Sequence, residues 1–273
     1  MSAEHLLDQL ERYYDTVPRA AARVEDFGSL TLFVREGAGW PYYARPALRA
    51  DAPPPTVSDV LAVRARQREL GVPEAFEWVA ETTPGLREAV EASGLVVHAH
   101  PLMARESGAP AAPHPLVRVL SDRDPFLAGA LALPHVAFAH PGTAVGAAGA
   151  AELTAEIAAR AADGAMAGYR ERMRAGQVVV AAAVENGVVL SSGLHLPVGD
   201  VTEVAGVGTL PAARRRGLGL AVTSALVAHA VASGVGVVFL SAGDDDVARL
   251  YARLGFRPVG TALIAEPSPP ASV

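Results

Sequence analysis

Between Glu203 and Leu240 the chain runs from a Val-rich extended stretch through Pro211-Ala-Ala-Arg-Arg-Arg-Gly217-Leu-Gly219 into a helical stretch, and out again into the uninterrupted apolar run Val235–Leu240. A strand covered on one face alternates apolar and polar residues, so a strand apolar at every position is covered on both. That places Val235–Leu240 in a parallel, helix-flanked position reached by a crossover. Upstream, Gln177–Val184 and Val188–Leu196 flank Glu185-Asn186-Gly187. Asn-Gly between two apolar runs predicts a tight antiparallel hairpin, because both turn residues need positive φ. The sheet is therefore mixed, and the fold class is α/β (α+β) with flanking helices.

A chain of 273 residues exceeds one ordinary domain and fits two. Gly108-Ala-Pro-Ala-Ala-Pro-His-Pro115 is too rich in proline for a helix or a central strand and has little to bury. The boundary is set there, giving domains 1–112 and 113–273. The first has expected helices at Ala3–Tyr14, Val57–Leu70 and Pro84–Ala92, and extended segments at Ser29–Val34, Trp40–Leu48 and Leu95–Met103. The second has expected helices at Ala151–Arg174, Gly217–Ser233 and Asp245–Leu254, with strands at the hairpin, Glu203–Leu210 and Val235–Leu240.

The residue inventory excludes whole classes of chemistry. There is no Cys, so disulfides, thiolate metal sites and a cysteine nucleophile are ruled out. There is no Lys either, which removes a P-loop lysine and any Schiff base. A formal charge of −6 argues against a nucleic-acid partner and is compatible with a cationic or amine substrate. Apolar runs stop well short of a membrane span. Met1–Asp8 is acidic and amphipathic where a secretory leader would be basic and then apolar, so the expected location is the cytoplasm.

The stretch from Val204 to Ala221 carries the most chemistry. A strand enters a basic, glycine-containing loop that opens a helix. The first N–H groups of a helix lack intrahelical acceptors and the dipole adds positive charge, which suits an anion such as a phosphate. Gly217 and Gly219 let the backbone approach closely, and Arg214, Arg215 and Arg216 add attraction. Gly-x-Gly alone is more often a solvated basic turn; three consecutive arginines in a net acidic chain, at the start of a helix, favour the anion. A dinucleotide fingerprint lacks its third glycine here.

Pro211-Ala-Ala-Arg214-Arg-Arg-Gly217-Leu-Gly219 resembles the cofactor loop of the GCN5-related N-acetyltransferase (GNAT) family, Arg/Gln-x-x-Gly-x-Gly/Ala, which follows a strand-ending proline. Asp245-Asp-Val-Ala248-Arg-Leu-Tyr251-Ala-Arg-Leu254-Gly-Phe256 is similar to the family's Asn-x-x-Ala-x-x-Leu/Tyr-x-x-x-Gly-Phe element, with Asp in place of Asn. The resemblance implies acetyl-CoA as cosubstrate and no metal. Its pyrophosphate would lie on Arg214, Arg215, Arg216, Gly217, Leu218 and Gly219, and its pantetheine arm on Val207, Gly208 and Thr209, with Asp245 beside the cofactor. Tyr251 would protonate the leaving sulfur, and Glu203, six residues before Thr209, would take the amine proton. Read without the resemblance, Tyr251 is a half-buried core residue and Glu203 a strand-initial surface carboxylate.

The implied activity is N-acetyl transfer by direct attack of an amine. The acceptor is open among small amines, amino acids, polyamines and a peptide N-terminus. The N-terminal half has no such loop and is similar to the degenerate first module of two-module members, through Pro73–Trp78 and Gly94–Met103. A homodimer is compatible with the family. A silent acyl-CoA sensor and a nucleotide-binding protein are the competing readings. His98 and His100 share a strand face as candidate metal ligands with no third partner at a supporting spacing. Trp40, Tyr42, Tyr43 and Arg45 are either an aromatic acceptor pocket or core and strand surface.

Overall fold

The computed structural model describes residues 2–37, 39–106, 113–162 and 164–268. Most of the proline-rich boundary, 108–112, lies outside the described residues. In chain order the elements are α1 (Ala3–Arg19), β1 (Ala22–Asp26), β2 (Leu30–Arg35), β3 (Ala44–Pro46), α2 (Val57–Glu69), β4 (Phe76–Val79), α3 (Leu86–Ala92) and β5 (Val96–Glu106). There follow β6 (Val117–Val119), α4 (Leu127–Phe138), α5 (Ala150–Arg160), α6 (Ala165–Arg174), β7 (Val179–Glu185), β8 (Val188–Val198) and β9 (Val201–Thr209). The chain then forms α7 (Leu218–Ala232), β10 (Val237–Ser241), α8 (Asp245–Ala252) and β11 (Arg257–Glu266). Among the described residues no helix is long and apolar enough to cross a membrane.

Two compact units interleave along the chain. The first comprises Met1–Met103, Ser241–Ala248 and Pro258–Val273; the second comprises Ala104–Leu240 and Arg249–Arg257. The C-terminal strand joins the first unit because β11 pairs antiparallel with β4, Ala262 opposite Val79 and Ala265 opposite Phe76. Strand order in that unit is β1-β2-β3-β4-β11-β5. Its core packs Leu30, Leu32, Phe76, Trp78, Leu86, Val90 and Leu263.

In the second unit β6, β7, β8 and β9 form an antiparallel meander, and β10 adds parallel to β9. Asn186 and Gly187 at the β7–β8 turn have φ of 50° and 78°, the left-handed pair that the Asn-Gly signal requires. Successive residues of β8 contact opposite helices. Ser192 Oγ donates to the Ala130 carbonyl of α4 at 2.7 Å. A Cβ on Gly193 would stand 3.3 Å from Leu226 of α7. The sheet is thus covered by α4 on one face and α7 on the other, and Val237–Leu240 is buried at every position, as a doubly covered strand must be.

Two sequence expectations change. The single helix over Ala151–Arg174 is two helices, α5 and α6, with Gly164 at φ +73° capping the second. Within Trp40–Leu48 only Ala44–Pro46 is strand.

Candidate functional site

The site is built where β9 parts from β10. Val201, Thr202 and Glu203 pair with Val237, Val238 and Phe239, and the ladder runs no further. On its other edge β9 stays with β8 to Thr209. The register slips between Ser192, opposite Gly208, and Leu194, opposite Ala205, so Gly193 stands against both Gly206 and Val207. That is a bulge, made feasible by Gly206 at φ +61°, and it bends β9 away. Beyond Glu203 one edge of β9 therefore offers backbone amide and carbonyl groups to something other than β10. Glu203 occupies the last rung before the fork.

The loop after β9 makes a short 3-10 turn at Pro211–Ala213 and enters α7 through Gly217. Gly217 has φ +74°, and no side chain caps the helix. A Cβ on Gly219 would lie 3.3 Å from Thr209 Oγ1 and 3.8 Å from Val207 Cγ1. The uncapped helix end thus sits directly against the open end of β9 because position 219 has no side chain. Thr209 is itself held by Ser191, whose Oγ lies 3.0 Å from Thr209 Oγ1 and donates to the Gly208 carbonyl at 2.7 Å. Leu218 is buried and anchors the first turn.

The three arginines do different things. Arg214 donates to the carbonyl oxygens of Ala137, His140 and Ala144, tying the end of α4 and the segment after it to the loop. Arg216 pairs with Glu185 at 2.8 Å, and this pair lowers the Glu185 pKa. Arg215 is exposed and holds a left-handed φ of +66°, a conformation that non-glycine residues adopt at a cost. Glycine 208 has a second role besides backbone exposure. A Cβ there would come within 2.9 Å of Ala137 Cβ and 3.1 Å of Leu133 Cδ2, so it is also the condition for α4 to pack on β9.

Tyr251 lies on α8 with its ring 6.1 Å from that of Phe256. Burial pushes its phenol up to about 12, and a hydrogen bond with Thr223 acts against that rise. It is a neutral donor under ordinary conditions. Thr223 is fully buried on α7 and donates to the Gly219 carbonyl at 3.0 Å. Its spacing of four from Gly219 put both on one helix face, a signal in the sequence that the motif alone did not use. Asp245 is exposed in the first turn of α8, while Asp244 caps the helix by accepting from Val247 N at 2.8 Å. On α8 Ala248 is buried and Leu250 is 38% exposed, and Leu254 falls beyond the helix end.

The remaining candidates are used structurally. His100 Nδ1 is 3.1 Å from the Gly243 carbonyl, and His98 Nε2 is 3.8 Å from Glu266. Tyr43 donates to the Tyr14 carbonyl, Arg35 stacks 4.9 Å from the Tyr42 ring, and fully buried Arg45 pairs with Glu11.

Residues 153–256 match the family model described as Acetyltransferase (GNAT) family. This segment is similar to the GNAT family. The fold likeness extends over both units. The chain is similar to a GCN5-related N-acetyltransferase from Kribbella flavida, 22% identical over 96% of each chain with a TM-score of 0.68. It is also similar to a GCN5-related N-acetyltransferase from Sphaerobacter thermophilus, 17% identical over 90% of this chain and 83% of that one, TM-score 0.53. A tandem GNAT protein from the clavulanic acid biosynthesis pathway is 15% identical over 88% of this chain and 79% of its own, TM-score 0.52. Among curated proteins no match was found. The matched segment contains the loop and Tyr251 elements from which the resemblance was drawn.

Proposed function

We propose that the GNAT domain binds acetyl-CoA and transfers its acetyl group to the amine of a small molecule or peptide. The observation that carries this reading is the junction of two unsatisfied backbone surfaces: the glycine-led, uncapped N-terminus of α7 and the edge of β9 beyond Glu203. The helix end suits a pyrophosphate, and the strand edge suits the amides of a pantetheine arm acting as a substitute strand. The missing Cβ atoms of Gly217 and Gly219 leave room for both. Val207, Gly208 and Thr209 would present the strand edge; Arg215, Arg216, Gly217, Leu218 and Gly219 would form the anion cradle, with Arg214 bracing it from behind.

Acetyl-CoA supplies an activated thioester. Glu203, at the fork, takes the proton of the attacking amine directly or through water, and Tyr251 gives its phenolic proton to the leaving sulfur. No covalent enzyme intermediate is required, consistent with the absence of cysteine.

The first unit repeats the same order, β2 antiparallel to β3 and β3 parallel to β4 across α2. Its helix start is closed, however. Thr56 Oγ1 accepts from Asp59 N while Asp59 Oδ2 accepts from Thr56 N at 2.8 Å, so a carboxylate of the chain itself occupies the place that α7 leaves open. On the paired strands β3 and β4 stand buried Arg45 and half-buried Glu77. This supports a single cofactor site per chain. The test is calorimetric titration of acetyl-CoA into wild type and Gly217→Val, with ATP and NAD as controls. Micromolar acetyl-CoA binding, one equivalent per chain and lost in a folded Gly217→Val, is expected. Absence of binding by wild type sinks the reading.

A further inference from the structure

Ser191 stands on β8 directly opposite Thr209 on β9 and belongs to no part of the motif that marks the loop. It is fully buried, with its Oγ 2.7 Å from the Gly208 carbonyl oxygen and 3.0 Å from Thr209 Oγ1. A hydroxyl carries one hydrogen and two lone pairs, and a carbonyl oxygen can only accept. The single Ser191 hydrogen is therefore taken by Gly208, and the contact with Thr209 is closed by the Thr209 hydrogen pointing at Ser191. Thr209 Oγ1 then offers only lone pairs to a group that approaches from elsewhere.

The direction of approach follows from the strand. Leu210 N donates to the Leu190 carbonyl of β8 at 2.9 Å, so the main-chain groups of Thr209, one residue earlier, point to the opposite edge, which β10 leaves after Glu203. The Thr209 side chain lies on the α7 face, where Oγ1 and Val207 Cγ1 bound the space that a Cβ on Gly219 would fill, at 3.3 and 3.8 Å. Thr209 is thus the corner between the helix end and the strand edge. We infer that Ser191 is a positioning residue that fixes the Thr209 hydroxyl as an acceptor, so that this corner takes an N–H or O–H of the ligand and turns away a phosphate oxygen. The inference rests on the acetyl-CoA reading above and sharpens it. A ligand laid across both surfaces must carry a donor next to its phosphates. The arm of acetyl-CoA, whose hydroxyl and amide hydrogens follow the pyrophosphate, meets that demand. A longer phosphate chain carries only acceptors and sets negative charge against the Thr209 lone pairs.

The test uses the full chain, with acetyl-CoA affinity read by calorimetry and inorganic pyrophosphate read by its displacement of acetyl-CoA. Thr209→Val removes the acceptor and should weaken acetyl-CoA about fivefold or more while changing pyrophosphate by less than about twofold. Thr209→Ser should restore acetyl-CoA binding. Ser191→Ala frees the Thr209 hydrogen to turn to a phosphate, so pyrophosphate should bind about threefold tighter or better, and adding Thr209→Val to that variant should remove the gain. If Ser191→Ala does not fold, the two Thr209 variants decide alone. A valine that weakens both ligands alike or neither, a serine no better than valine, or a folded Ser191→Ala with unchanged pyrophosphate affinity overturns the inference and leaves the cofactor reading standing. Acetyl-CoA that does not bind the wild type, or that pyrophosphate does not displace, overturns instead the reading beneath it.

Discussion

Arg214 holds Ala137 by an Nη2 hydrogen bond of 3.1 Å to its carbonyl oxygen, and from the same guanidinium reaches His140 and, at 3.2 Å, Ala144. Ala137 lies in the last turn of α4, where its carbonyl also accepts from the backbone amides of Ala139 and His140, so the arginine reinforces that helix end and fixes the segment leading to α5. Backbone bonds complete the seam: Gly146 N to the Pro211 carbonyl at 3.1 Å and Ala212 N to the Ala148 carbonyl at 2.9 Å. Arg214→Met should therefore destabilise the protein by about 1–3 kcal/mol in chemical denaturation. Arg214→Lys should recover less than half of that, since an ammonium cannot reproduce a planar fork. Wild-type stability in the lysine variant would mean that charge alone matters at this position.

Arg215 makes the opposite prediction. Its φ of +66° strains any residue with a Cβ, and glycine removes the strain at some cost in unfolded-chain entropy. Arg215→Gly should leave stability unchanged or raise it by up to about 1 kcal/mol. Acetyl-CoA affinity should fall several-fold at low salt, and the deficit should shrink as salt screens the lost charge. A deficit independent of salt would show that Arg215 acts through backbone shape instead.

Gly208 ties β9 to the packing beneath it. Its added Cβ would meet Ala137, Leu133 and the Pro134 Cα at 2.9, 3.1 and 3.4 Å, and the last of these is backbone that can move only with the helix. Gly208→Ala should cost about 1–3 kcal/mol as overpacking, read from the denaturation midpoint, and weaken acetyl-CoA binding in parallel. An alanine variant as stable as wild type would show that α4 yields freely.

The parts of the site legible in the sequence are those where local chemistry decides conformation. Asn186-Gly187 has few turns open to it, a helix start led by Gly217 advertises its uncapped end, and Val237–Leu240 announces burial on both faces. Helix α4 was not legible, because its residues are apolar on all sides and Pro134 interrupts it, so no helical period emerges. The break between α5 and α6 hinges on one glycine, which costs a helix only about 1 kcal/mol and is a weak signal on its own. The pairing of β11 with β4 joins residues far apart in sequence, which no local pattern encodes. For the same reason the Arg214 seam was invisible: the motif names the arginine, but its partners come from a helix that could not be seen.

His195 provides a pH test of the second unit. Its Nδ1 lies 2.9 Å from Thr202 Oγ1 and its Nε2 lies 3.1 Å from His229 Nδ1, in a fully buried site between β8, β9 and α7. Burial, and secondarily His229, push its pKa down from 6.5 to about 4. Between those values the unfolded chain binds a proton that the folded chain does not, so stability rises with pH across that window. The contribution is full above pH 6.5 and is lost as pH falls through 4, amounting at most to about 3 kcal/mol at roughly 1.4 kcal/mol per unit. His195→Gln keeps a hydrogen-bonding side chain that does not titrate. Its stability relative to wild type should therefore improve steadily from pH 6.5 to 4, whatever its offset at neutral pH, in denaturant melts taken at half-unit steps. A constant difference across the window would mean that His195 is as easily protonated in the folded protein as in the unfolded chain. The buried Thr202–His195–His229 chain would then have to accommodate a cation next to the fork at Glu203.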